Sequence, residues 1–182
     1  MPPRPEADGI ADWAARREGA GEWPDASAEP PRTVSDGAVV ELREVTRETV
    51  RSICGLQVAP AQRGFVAPNA VSFAEALFEP RAWYRAIVAD GLPVGFVMLS
   101  LDPDEADYWL WRLMIADGLQ RRGYGRRVLD LVVDHVRTLP NAARLFVSWC
   151  PGPGSPEPLY LGYGFVPTGE VEEGEIVGVL TL

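Results

Sequence analysis

The stretch Leu113-Met114-Ile115-Ala116-Asp117-Gly118-Leu119-Gln120-Arg121-Arg122-Gly123-Tyr124-Gly125-Arg126-Arg127 decides the reading of this chain. It passes from an apolar strand through a glycine-containing loop into a helix. Tyr124, Val128, Val132 and Val136 recur every four residues, with Arg126, Asp130, Asp134 and Arg137 on the opposite side, and Pro140-Asn141 comes next. That spacing predicts an amphipathic helix of about four turns. The start of a helix leaves backbone N–H groups without partners and carries positive partial charge, and glycines there let an anion come close. Diphosphate suits such a site. The same pattern also fits a helix cap with solvated arginines.

Outward from this junction the chain reads as one mixed α/β domain with a tail. Residues 1–37 are rich in Pro, Ala, Gly and acidic groups without a sustained period, and are read as a flexible extension; the domain occupies residues 38–182. Val39–Val45 is expected to be a strand, Thr46–Leu56 a helix opened by a Thr cap, and Ser72–Phe78 a short helix stopped by Pro80. Trp83–Ala89 and Val94–Leu101 flank Asp90-Gly91, which predicts a tight hairpin. Strands at Asp107–Ala116, Leu145–Cys150, Phe165–Thr168 and Glu175–Leu182 and a short helix at Pro156–Tyr163 complete the pattern.

The 182 residues include 17 Arg, no Lys, 26 acidic residues, one His and two Cys, for a net charge of −9. An acidic chain repels phosphate backbones and anionic head groups, so nucleic acid and membrane surfaces are poor partners and a small-molecule amine is a good one. One histidine cannot build a His-based metal cage or a Ser/His/Asp triad, and Cys54 and Cys150 lack metal-like spacing, so no metal is expected. A P-loop requires a lysine, and no G-x-G-x-x-G follows the first strand. With no signal-like start and no apolar run of about 18 residues, a cytoplasmic location is the default expectation.

Gln120-x-x-Gly123-x-Gly125, between that strand and that helix, resembles the acetyl-coenzyme A (acetyl-CoA) pyrophosphate loop of the GNAT superfamily of N-acetyltransferases. Leu159-Tyr160-x-x-Tyr163-Gly164-Phe165 resembles the superfamily's second motif. Phe65–Asn69, Phe78-Glu79-Pro80, Gly95–Met98, Tyr108–Ile115 and Gly174–Val177 are similar to bacterial diamine and spermine/spermidine N-acetyltransferases. The resemblance implies an α/β (α+β) GNAT fold: a mixed, mostly antiparallel sheet of about six to seven strands, flanked by about four helices and splayed at the acetyl-CoA site.

It further implies that Leu113, Met114 and Ile115 pair with the pantetheine arm, and that Gln120, Arg121, Arg122, Gly123, Tyr124, Gly125 and Arg126 cradle the pyrophosphate. Tyr160 matches the acid that meets the leaving thiolate, a role suited to a phenol of pKa about 10. The matching base is not evident in the sequence, since Trp109, Trp111 and Arg112 stand where a strand carboxylate would be; Asp107 is the candidate, acting through water. Glu75, Asp107 and the neighbouring Glu79, Asp104 and Glu105 are expected to line the acceptor site, with Tyr84, Trp109 and Trp111 giving aromatic faces to a cation. Acetylation of an antibiotic or protein amine, acyl-CoA binding without catalysis, and a homodimer are left open. The prolines between Pro151 and Pro158 depart from the second motif's usual Asn and helix start.

Overall fold

The computed structural model describes residues 37–182 apart from Glu105; the expectations for residues 1–36 and for Glu105 lie outside the described residues. Seven strands form one sheet: β1 Val40–Arg43, β2 Ala82–Ala89, β3 Leu92–Asp102, β4 Asp107–Ile115, β5 Arg144–Trp149, β6 Val166–Glu172 and β7 Glu175–Thr181. Their order is β1-β2-β3-β4-β5-β7-β6, antiparallel throughout except where β4 meets β5. Four α-helices accompany them among the described residues: α1 Val50–Gly55, α2 Asn69–Ala76, α3 Tyr124–Arg137 and α4 Glu157–Tyr163. This is the mixed sheet and helix set that the sequence predicted.

Local chemistry explains both the agreements and the differences. Asp90 and Gly91 take positive φ angles of 48° and 81°, the geometry that joins β2 to β3 in a two-residue turn. α1 starts four residues later than expected because the threonines fold back on the chain: Thr49 Oγ1 accepts from the Thr46 amide at 2.8 Å, holding residues 46–49 as a turn. α2 starts earlier than expected, directly after Pro68, whose fixed φ suits a helix entrance.

Each face of the sheet buries its own apolar cluster. α3 lays Val128, Leu129, Val132 and Val136 against Val97, Leu99, Leu110, Leu145 and Val147. On the other face Ile53 of α1 packs with Phe96, Met98 and Met114. Each buried side chain of this size contributes about 1.5–3 kcal/mol. The parallel β4–β5 pair thus rests on the helix that connects its strands.

Two irregularities in β4 open the sheet. In the β3–β4 ladder Met98 opposes Arg112 and Leu99 opposes Leu110, so Trp111 is an extra residue, a β-bulge that bends β4. β4 pairs with β5 only at Trp109–Phe146 and Leu110–Val147. Beyond Leu110 the two strands part. Opposite the parted segment, Gly95 lies so close to β4 that a Cβ there would stand 2.3 Å from the Met114 carbonyl oxygen. Gly95→Ala is therefore expected to lower stability by about 1–3 kcal/mol through overpacking. Urea unfolding checks it: a lower midpoint at unchanged slope is the expected result, and an unshifted midpoint would contradict the close approach.

Candidate active site

Along β4, past its last pairing with β5, lies a cavity of about 530 Å³. Leu113, Met114 and Ile115 form its β4 wall, and Gln120, Arg121, Gly123, Tyr124, Gly125 and Arg126 its loop-and-helix wall. All of the residues assigned to the acyl carrier except Arg122 border it. Arg122 instead turns back, its Nη2 donating to the Gly118 carbonyl at 3.3 Å. Gly123 precedes α3 with φ 80°, in the left-handed region, and no side chain caps the helix. The amides of Gly125 and Arg126, in the first turn, have no acceptor within the helix. No acidic residue stands in that turn, whereas Arg126 does.

Gln120, besides lining the cavity, braces it. Its Nε2 donates to the Ile115 carbonyl at 2.9 Å and to Gln62 Oε1 at 2.7 Å, while Gln62 Nε2 donates to the Gly154 carbonyl at 3.4 Å. Two glutamines thus tie the loop, the end of β4 and the Pro151–Pro158 turn around one cavity. Ser155 Oγ donates to the Cys150 carbonyl at 2.7 Å and accepts from the Glu157 amide at 3.2 Å, so α4 starts in order despite its prolines.

A second cleft of about 320 Å³ adjoins the first, sharing Phe65, Val66, Leu113 and Pro156 with it. Tyr160, Glu175, Ser148, Trp111, Arg112 and Arg63 also line it. The Tyr160 ring is buried between Trp149 and Phe165, with centroids 5.7 Å from each. Burial first, and the Glu175 carboxylate second, hold its phenol well above the usual value near 10. The group is a proton donor at every physiological pH.

The acceptor-site expectations fare less evenly. Trp111, displaced by the bulge, lines the second cleft, and the Arg112 guanidinium lies 5.0 Å over its ring. Trp109 stacks on Phe146 at 5.0 Å, and the half-buried Tyr84 packs edge-on against Phe73 at 5.3 Å; neither borders either of these two clefts. Glu75 pairs with Arg112 at 3.3 Å and so bears on the cleft only through it. Glu79 is held by Arg81 at 2.8 Å, a pairing that brings its carboxyl down to about 2. The backbone of Asp107 opens β4 opposite Asp102, and its side chain lies outside the described residues. At about 3.3 Å per residue it begins about 10 Å of strand before Leu110, where the cleft starts. Asp104 does not border either of these two clefts.

Sequence reasoning missed Glu175. Its Oε2 accepts from Ser148 Oγ, and its Oε1 takes the Cys150 thiol at 3.6 Å. Burial, then this carboxylate, pushes the Cys150 thiol up, away from a reactive thiolate. The signal present in the sequence was the Gly174–Val177 motif, which carried no chemistry until β7 was seen beside β5.

A seven-stranded sheet parted at β4, with a glycine-entered helix beside the gap, is a fold shared with solved acetyltransferases. Residues 65–151 match the acetyltransferase (GNAT) family, and the chain contains a GNAT acetyltransferase domain, that of an acetyl-CoA-dependent N-acetyltransferase. It is 26% identical over 154 residues to a spermine/spermidine N(1)-acetyltransferase of Bacillus subtilis (strain 168), covering 79% of this chain and 99% of that protein. Its fold is similar to a spermidine N-acetyltransferase of Vibrio cholerae solved with CoA and spermine (TM-score 0.60, 16% identity, 78% of this chain and 95% of the other). It is also similar to an aminoglycoside acetyltransferase solved with coenzyme A (TM-score 0.65, 15% identity, 79% and 95%). No helix among the described residues is long and apolar enough to cross a membrane.

Gly123→Ala tests the helix entrance. A left-handed φ costs a residue with a Cβ about 1–2 kcal/mol, so CoA affinity measured by calorimetry is expected to fall about tenfold. Gly91→Ala, at φ 81° in the β2–β3 turn, carries the same backbone strain away from the cavity and should keep its affinity. Equal affinities in the two variants would contradict the assignment.

Proposed function

We propose that this protein transfers the acetyl group of acetyl-CoA directly to a primary amine, and that the amine belongs to a diamine or polyamine such as spermidine or spermine. The observation that carries the reading is the meeting of two clefts at Leu113: one bordered by the first turn of α3, the other by Tyr160 and a carboxylate. The diphosphate fits the first through the amides and positive end of α3, with Arg121 and Arg126 adjoining. The pantetheine arm fits along Leu113, Met114 and Ile115, which places the thioester where the clefts join. The names of the similar B. subtilis and V. cholerae proteins support a polyamine acceptor.

In this reading residues 38–182 form the catalytic domain, residues 1–37 an extension to it, and the protein works in the cytoplasm. Tyr160 supplies the proton that the departing thiolate takes. Its hydroxyl stays protonated because burial disfavours the phenolate, and the aromatic rings around it fix its aim. Cys150 forms no acyl-enzyme, since its thiol is held protonated.

A coupled thiol-release assay over spermidine, spermine, putrescine, an aminoglycoside and a lysine peptide tests the acceptor. Fastest turnover with the polyamines is expected; preference for the aminoglycoside or the peptide would overturn the polyamine assignment, and no turnover with any amine would overturn the activity. Tyr160→Phe should lower kcat by about 10²-fold or more, the range of general acid catalysis, at unchanged CoA affinity. The phenol's raised value also sets a pH expectation: no alkaline loss of rate traceable to Tyr160 below about pH 10. Such a loss, absent in Tyr160→Phe, would contradict it.

A further inference from the structure

A primary amine with a pKa of about 10.4 enters the acceptor cleft as an ammonium, so the reaction requires a group that binds a cation and then removes its proton. Among the described residues lining the second cleft, Glu175 is the one carboxylate. We infer that Glu175 is the acceptor-binding and proton-accepting catalytic residue, receiving the ammonium between Ser148, Tyr160 and Trp111. This deepens the amine-acetylation reading and rests on it.

Several observations converge on this side chain. β7 lies antiparallel to β5, pairing Val177 with Ser148 and Ile176 with Trp149, so Glu175 arrives beside the C-terminal end of β5. Ser148 and Cys150 donate to one oxygen each, which orients the carboxylate while leaving acceptor capacity on both oxygens. Tyr160 and Glu175 line the same cleft, so the proton donor and the proton acceptor share one site. Of the other charged lining groups, Arg112 is neutralised by Glu75, and Arg63 donates to Gln57 Oε1 at 3.0 Å. The Cys150 thiol, raised by burial and by Glu175 itself, stays neutral and does not compete for the proton.

The step balances in atoms and in charge. Glu175 takes one proton from the ammonium. The freed nitrogen pair attacks the thioester carbonyl, a C–N bond forms, and the C–S bond breaks as the tetrahedral adduct collapses. Tyr160 protonates the thiolate and regains a proton from the new amide nitrogen, and Glu175 releases its own to water. Nothing is oxidised or reduced.

The test is the pH profile of kcat/KM for spermidine in wild type, Glu175→Gln and Glu175→Asp, with CoA affinity by calorimetry reporting an intact fold. Gln keeps an oxygen that accepts from Ser148 but removes the base. It should be about 100-fold slower at pH 7, and the deficit should shrink about tenfold per pH unit towards the pKa of the amine, where the substrate supplies its own neutral form. Asp should retain part of the rate with the shallow profile of wild type. A Gln variant as fast as wild type, or slower by the same factor at every pH, would overturn the proposal, as would an Asp variant with the steep profile of Gln. If Gln does not fold, the Asp profile alone decides between these outcomes. Wild-type failure with every amine would take down the amine reading together with Glu175, whereas normal wild-type turnover beside an unaltered Gln variant removes Glu175 alone.

Discussion

The first turn of α3 is the constraint around which the domain is arranged. Gly123 enters the helix left-handed and uncapped, no acidic side chain offsets the positive end, and Arg126 and Arg127 add to it. Cations at that end of a helix are unfavourable by about 0.3–1 kcal/mol, a cost that an anion at the same place reverses. The turn is held nonetheless, because the apolar face of α3 is buried in the sheet. Packing supplies the stability, and the charge pattern is left free to serve a ligand.

Those arginines are arranged rather than loose. Arg127 donates to the Ala38 carbonyl at 2.6 Å and Arg126 to the Gly162 carbonyl at 3.0 Å, so each fastens α3 to a neighbouring segment. The extra residue at Trp111 complements this on the strand side. It bends β4 just past its last pairing with β5 and lets Leu113 border both clefts. One added residue therefore turns a continuous pairing within the sheet into a junction of two clefts.

Much of this was legible along the chain because it is local. The four-residue recurrence from Tyr124 to Val136, the Asp90-Gly91 turn and the Gly123 entrance each arise from residues within a few positions of one another, and the order of motifs along the chain carried the resemblance. The bulge left no trace in a strand that is apolar at almost every position, where alternation cannot show a slip of register. Glu175 was hidden for a different reason: it meets Ser148 and Tyr160 only once β7 has inserted between β5 and β6. Tyr84 and Glu75 looked available as a loose aromatic and a loose acid, yet Phe73 and Arg112 had prior claims on them. The acidity of the whole chain said little about the one carboxylate that lines the cleft among the described residues.

The Pro151–Pro158 turn adds something contacts alone do not convey. Each proline there narrows the conformations available to the unfolded chain, so less freedom is lost when the turn settles against Phe65 and Gln62. Part of the ordering entropy of this cavity wall is in this way lowered at the stage of folding, before anything enters the cavity.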